Sequence, residues 1–290
     1  MVHDSRRNSV KFVRYDPAFA LAPIFRPIFR GRRPGGLSIE HKFKEYNLEF
    51  SIWRSLDARD QSVLLAIQGI AGMQALGELT HGLHADISTP LGAELWSGLK
   101  PTDNAHFDTA IVVSTLRSTL MQVAGIDDDS RKSYGRLEDR LVRLSRVGCR
   151  VQKNGYDWSM QLLAYLSAPD GYLNIALNPR FAAALSGQYV YISLAERRKL
   201  TSEPALLSHA WLSGWLRPGA RNSIRLDRLA EKVWGAPSKN SATNRKRRSR
   251  IAKALGEVSL LPGWEILIEG EGATAKAELS RSKQEVKTPG

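Results

Sequence analysis

One cysteine, Cys149, occurs in the 290 residues. A single thiol excludes an intramolecular disulfide and leaves no cysteine cluster for zinc. It follows an apolar periodic stretch, so a buried, inert thiol in a reducing cytoplasm is expected. No run of 18 apolar residues occurs, so no transmembrane helix and no membrane partner are predicted. The N-terminus carries charges without a following apolar segment, unlike a secretory signal peptide. Motifs for catalysis are missing as well: there is no G-x-x-x-x-G-K-[ST] phosphate loop, no G-x-S-x-G and no H-E-x-x-H. The glycines of GEGATA have no strand-to-helix context around them. The nearest thing to a metal cluster is His81, His84 and Asp86 in THGLHAD, which lacks a further ligand. No cofactor, no metal and no catalytic residue is assigned, and the chain is not expected to be an enzyme.

What is present is charge, and it is unevenly placed. The net charge is +13. Met1 to Arg33 holds eight basic and two acidic side chains, Arg131 to Lys153 eight and two, and Lys232 to Gly256 eight and none. The rest of the chain is therefore acidic on balance. Localised basic segments on an acidic chain are electrostatic footprints for phosphate. Apolar residues make up 42%, enough for a real core in one large domain or two ordinary ones.

The chain is organised around KNSATNRKRRSRIAKALGEVSL, Lys239 to Leu260. Ile251, Leu255 and Val258 recur at helical spacing and share one face. Lys239, Ala242, Arg245, Lys246, Ser249, Arg250 and Lys253 fall opposite. SIRLDRLAEKVW, Ser223 to Trp234, is predicted as an amphipathic helix ahead of it, joined by a GAPS turn. WEILIEGEGATAKAEL, Trp264 to Leu279, alternates as a hairpin around Gly270 and Gly272. Helix, turn, basic helix, hairpin is the order of a winged helix-turn-helix, whose second helix enters the major groove while the hairpin touches the backbone. A solvated helix face is the plain alternative for a charge run.

The same order occurs earlier. Leu48 to Trp53 reads as a strand, and Ala58 to Met73 as a helix with Asp57 as N-cap. Thr109 to Val113 is a short strand, and Ser114 is placed as the cap of a helix ending near Gly125. Arg131 to Val147 is the next helix, with Tyr134, Leu137, Leu141 and Leu144 on one face and Lys132, Arg136, Arg140 and Arg143 on another. Two strands follow about Asn154-Gly155, a favoured hairpin dipeptide. Gly171 to Pro179 reads as a further strand that closes the first unit, and Ser202 to Leu216 is a mostly apolar helix.

The expected fold class is α+β: two tandem winged helix-turn-helix domains with an extended basic N-terminal arm. The arm is 1–36, broken by Pro17, Pro23, Pro27 and Pro34. The first domain is 37–178, the DNA-reading domain is 179–280, and 281–290 is a polar tail.

Three stretches carry a family likeness: VRYDPAFALAPIFR near the start, LNIALNP with YVYISLAERRKL, and LLSHAWLSGW through NRKRRSRIAKAL to the following GW. Together, from about Val10 to about Ile268, the chain resembles the RepC replication initiators of IncQ-type broad-host-range plasmids. The segment 74–108 departs from the family in length and character. The resemblance implies a cytoplasmic initiator that binds directly repeated origin sites (iterons) in double-stranded DNA. Such proteins help open an adjacent AT-rich segment and admit a plasmid-encoded helicase, which works with a plasmid primase. Self-association is a further expectation, with the apolar arm as a candidate docking segment.

On this reading Lys239, Asn240, Ser241, Asn244, Arg245, Lys246, Ser249, Arg250 and Lys253 are the DNA-facing candidates, Arg and Lys suiting guanine and Asn adenine. Arg247 and Arg248 flank the apolar stripe and are expected to hold phosphate or pair internally. Lys132, Arg136, Arg140 and Arg143 would take an adjacent groove. A winged-helix transcriptional repressor has the same DNA chemistry and stays open as an alternative. A nicking or priming enzyme is a third reading; the spacing of His81 and His84 differs from the metal-binding pair of rolling-circle nickases. RNA binding is disfavoured because few aromatics alternate with the basic residues.

Overall fold

In the computed structural model, residues 10–28, 33–75, 84–85, 88–102, 110–126 and 130–283 are described. β1 (Phe12–Tyr15) leads directly into α1 (Pro17–Leu21). Asp16 caps α1, its Oδ1 accepting from Ala18 N at 2.7 Å and Phe19 N at 3.2 Å. Pro17 takes the first helical position, where no amide proton is needed. This corrects the extended arm. A proline read as a helix breaker here begins a helix, and the apolar residues between the prolines are core. Val13, Tyr15, Ala18, Phe19 and Ile24 are at most 1% exposed. The Phe19 ring packs 4.5 Å from Phe181 and 5.1 Å from Phe50. β1 pairs antiparallel with β10 (Val190–Ser193), so the start of the chain is tied to its middle.

The first half carries two antiparallel sheets. One has the order β2 (Gly35–Phe43), β3 (Tyr46–Arg54), β6 (Val147–Lys153), β7 (Tyr156–Gln161). Asn154 and Gly155 join β6 to β7 with φ of 50° and 85°, the left-handed pair a two-residue hairpin turn requires. The other sheet has the order β4 (His84–Ala85), β5 (Ala110–Leu116), β9 (Tyr172–Leu177), β8 (Leu163–Ser167). Packed with them are α2 (Ala58–Ala75), α3 (Pro90–Leu99), α4 (Arg117–Val123) and α5 (Arg131–Ser145). Ser114 is not a helix cap. The β-branched run Ile111, Val112, Val113, Thr115 extends β5 to Leu116, and Ser114 Oγ donates to Asn174 Oδ1 of β9 at 2.6 Å. Of the His81, His84 and Asp86 grouping, only the backbone of His84 lies within the described residues.

The second half runs α6 (Pro179–Ser186), β10, α7 (Leu194–Arg197), α8 (Glu203–Trp215), β11 (Arg221–Arg225), α9 (Leu226–Trp234), α10 (Ser241–Ser259), β12 (Trp264–Glu269) and β13 (Lys276–Arg281). β11, β13 and β12 form a three-stranded antiparallel sheet in that order. The helix expected from Ser223 begins at Leu226 instead. Ser223, Ile224 and Arg225 are drawn into β11 by pairing with Glu278, Ala277 and Lys276, far along the chain. The polar tail likewise starts later than expected: Arg281 is 2% exposed, its guanidinium 4.9 Å over the Trp264 ring. Residues 284–290 lie outside the described residues.

Helix, strand, helix, helix, hairpin runs uninterrupted as α8–β11–α9–α10–β12–β13; the first half has the same order as α2–β5–α4–α5–β6–β7 only with β4 and α3 inserted between α2 and β5. The pairing differs. β11 joins its own hairpin, whereas β5 joins β9 and the β6–β7 hairpin joins β3. Val63, Leu137, Ile175, Leu212 and Leu255 belong to one contiguous buried cluster, so the two halves share a core.

A polar cluster lies inside that shared core. His209 is fully buried; its Nε2–H donates to Glu196 Oε2 at 2.7 Å, and Trp264 Nε1–H donates to the same oxygen at 3.0 Å. Burial pushes the His209 pKa below its ordinary value, against the pull of Glu196. His41 is pushed down to about 4, by burial and by the nearby Lys232 charge. Both imidazoles are neutral in the fold but take up protons on unfolding below about pH 6.5. The unfolded chain then binds more protons, so stability falls as pH drops from about 6.5 toward about 4. The thermal midpoint should fall over that interval, and His41→Gln should flatten part of the fall. A midpoint that is constant or rises on acidification would contradict this.

Candidate nucleic-acid interface

α10 presents two chemically distinct faces. Ile251, Ala254, Leu255 and Val258 are at most 1% exposed, on the side that packs against α8 and α9. Ser241, Ala242, Arg245, Lys246, Ser249, Arg250 and Lys253 are exposed. These positions recur at helical spacing, so the cations among them form a continuous solvent-facing stripe. Lys239 and Asn240 are exposed in the turn before the helix.

The turn itself is built from candidate side chains. Asn240 Oδ1 caps α10, accepting from Ala242 N at 2.8 Å and Thr243 N at 3.3 Å. Asn244 closes the loop, its Oδ1 accepting from Ser238 N at 2.9 Å and its Nδ2 donating to Ser238 O at 2.8 Å. Both amides are thus engaged in shaping the turn. Gly235 ends α9 at φ 84°, a conformation that favours glycine.

Arg247 and Arg248 turn inward. Arg248 makes a two-pronged pair with Asp227 of α9, at 2.9 and 2.7 Å, which fixes the angle between the two helices. Arg247 donates to Ala236 O at 2.7 Å and lies 5.6 Å over the Trp234 ring. At the far end, Glu257 Oε2 accepts from Thr201 N at 2.9 Å and Ser202 N at 3.2 Å, tying α10 to the start of α8.

The hairpin does not match the basic helix in charge. The β12–β13 register puts Glu265, Leu267 and Glu269 on the side of Ser280, Glu278 and Lys276, away from buried Ala277 and Leu279. Lys276 pairs with Glu269 at 3.2 Å and Glu278 at 3.1 Å. An acidic hairpin repels phosphate, so the backbone contact expected of it has no electrostatic support.

In the first half, Lys132 and Arg136 of α5 are exposed, together with Arg131. Arg140 and Arg143 are not: they face Asp60, which is fully buried at the start of α2. Arg143 Nη2 lies 2.7 Å from Asp60 Oδ1, and Arg140 Nε lies 4.0 Å from it. The helical spacing that groups the four cations does not distinguish a solvent-facing position from one beside a buried carboxylate.

Sequence reasoning missed three basic positions. Arg54 and Arg146 sit 4.4 and 4.2 Å from the ring centroid of Trp53, which is 40% exposed. Arg26, from the N-terminal segment, reaches the turn after α9, where a Cβ on Gly235 would lie 2.5 Å from its guanidinium carbon. The adjacent Trp53-Arg54 pair was a visible signal; the approach of Arg26 is set only by tertiary packing.

No helix among the described residues is long and apolar enough to cross a membrane. No curated protein matches the chain. The fold is similar to that of a crystal structure of domains 2 and 3 of RctB, in selenomethionine form. The TM-score is 0.58 at 10% identity, covering 93% of this chain and 100% of that one. The family described as Replication protein C (RepC) matches residues 7–283. That match spans nearly the whole chain and shows the family: the protein belongs to the RepC family of replication proteins.

Proposed function

We propose that this protein initiates plasmid replication by binding directly repeated origin sites in double-stranded DNA. The observation that carries the reading is the exposed cationic stripe of α10, mounted on a helix whose other face is fully buried. Both halves are read as winged helix-turn-helix units, with α10 the major-groove helix of the second. Arg245, Lys246, Ser249 and Arg250 are the base-facing candidates, with Lys239 and Lys253 at the flanks. Lys132 and Arg136, with Arg131, reach an adjacent groove. Asn240 and Asn244 are assigned to the turn, Arg247 and Arg248 to the seating of α10, and Arg140 and Arg143 to the seating of α5.

Bound in this way, the protein would promote opening of a neighbouring AT-rich segment and admit a plasmid-encoded helicase and its primase. The chain itself is assigned no catalytic step, and it acts in the bacterial cytoplasm. Footprinting on the parent replicon at about 0.15 M salt, with unrelated competitor DNA, tests the reading. Protection of regularly spaced direct repeats is expected, and about eight phosphate contacts give a log–log salt slope near −7. Protection of a lone promoter site would favour a repressor instead. Uniform protection would remove the sequence-reading role.

A further inference from the structure

A cleft of about 340 Å³ lies where the start of α2, the end of α4, α7 and α8 meet. Arg59, Arg197 and Arg198 line it, and no acidic side chain does so among the described residues. Arg197 is the unusual member, at 4% exposure. Its guanidinium donates to Leu206 O at 2.7 Å and to Ser62 Oγ at 3.2 Å, both uncharged acceptors. Among the described residues its Nε has no hydrogen-bond partner. A buried cation normally sits against a carboxylate, because leaving water without a counter-charge is costly. The part-buried arginines Arg143 and Arg180 meet Asp60 at 2.7 Å and Asp16 at 3.1 Å. Arg281, as buried as Arg197, donates to the carbonyls of Ser213 and Leu216 but feels the charge of Glu196. Burial, with the neighbouring Arg59 charge adding to it, pushes the Arg197 pKa down to about 9, against a smaller opposing pull from Tyr15.

We propose that this cleft binds a phosphate-bearing anion, which supplies the counter-charge that Arg197 lacks and is also held by Arg59 at the mouth. The volume suits a small anionic ligand, and pockets of this size are within the range of small-molecule sites. Because its walls come from both halves of the chain, an occupant would stabilise their junction. Phosphate chemistry has two sources here, a small phosphorylated ligand or the DNA backbone.

The test is thermal unfolding of the full chain in inorganic phosphate against chloride at matched ionic strength and pH. The midpoint should rise with phosphate concentration, as expected for a ligand that binds only the folded state. Arg59→Gln, at an exposed position, should weaken the apparent phosphate affinity about tenfold, the loss of one charge-assisted contact. Arg197→Met should abolish the response while keeping or raising the midpoint in chloride, since an apolar residue removes the uncompensated charge. If Arg197→Met fails to fold, Arg59→Gln carries the test alone. Equal midpoints in phosphate and chloride, or an unchanged response in Arg59→Gln, would overturn the proposal. The sequence places Asp127, Asp128 and Asp129 shortly after Gly125. Should they supply the counter-charge instead, wild type would not respond to phosphate and their replacement by asparagine would lower the midpoint. Binding of random duplex separates the two sources. A salt slope smaller by about 1 in Arg59→Gln assigns the site to DNA phosphate, and unchanged duplex affinity assigns it to a small ligand.

Discussion

Replacing Arg245 and Lys246 together by alanine should lower affinity for repeat DNA by roughly two orders of magnitude or more, since each contacting cation is worth about 1–3 kcal/mol. Stability should change by no more than about 0.5 kcal/mol, as both residues are exposed on the helix surface. The two readouts must separate because the groups that seat α10 lie on its other side. Arg248→Ala is the contrasting variant. It breaks the paired contact to Asp227, whose side-chain exposure of 34% keeps the stability cost near 1 kcal/mol. Its effect on DNA should come through the altered angle of α10. Competition binding with repeat and random duplexes distinguishes roles within the stripe. Loss of a base contact relaxes specificity at one position. Loss of a phosphate contact weakens both duplexes alike and reduces the salt slope by about 1. Unchanged repeat affinity in the double variant would remove α10 from the interface.

Local chemistry made several elements of both halves legible. The apolar positions Ile251, Leu255 and Val258 gave the buried face of α10, and the same spacing gave its cationic stripe. The Asn154-Gly155 pair located the β6–β7 turn, and Asp57 located the start of α2, where its Oδ1 accepts from Arg59 N at 2.8 Å and Asp60 N at 2.9 Å. What failed depends on distant partners. Ser223 to Arg225 continue a helical pattern, but β13 pairs with them. Val13 and Tyr15 look like part of a broken arm until β10 supplies their ladder. The candidate site failed in the same way. Arg143 and Arg136 are both cations on one helix, and only Asp60, 83 positions before Arg143, separates the part-buried, paired one from the exposed one. Periodicity assigns residues to a face; it does not report what that face meets.

That carboxylate sets the second large effect. Asp60 is 0% exposed and accepts from Arg143 at 2.7 Å and from Arg33 at 3.3 Å. It also accepts from Asp57 N at 2.9 Å, completing a reciprocal cap at the start of α2. Asp60→Ala should therefore cost about 3 kcal/mol, because it leaves the part-buried Arg143 and Arg140 without their buried counter-charge. That is a large share of a typical domain stability of about 5–15 kcal/mol. Denaturant unfolding measures it, and a cost below about 1 kcal/mol would show that the arginines find other partners. The cluster need not be a net source of stability, however. Burial pushes the Asp60 pKa up more strongly than the Arg143 hydrogen bond pulls it down. A raised folded pKa means that ionising Asp60 costs stability as pH rises through that value. Replacing both partners, as Asp60→Leu with Arg143→Leu, should accordingly recover much of the loss, since an apolar pair removes the desolvation cost as well as the attraction. What such a variant would still lack is the directional contact between α2 and α5. The expected signature is restored unfolding free energy with weaker DNA binding by Lys132 and Arg136, whose placement depends on the seating of α5.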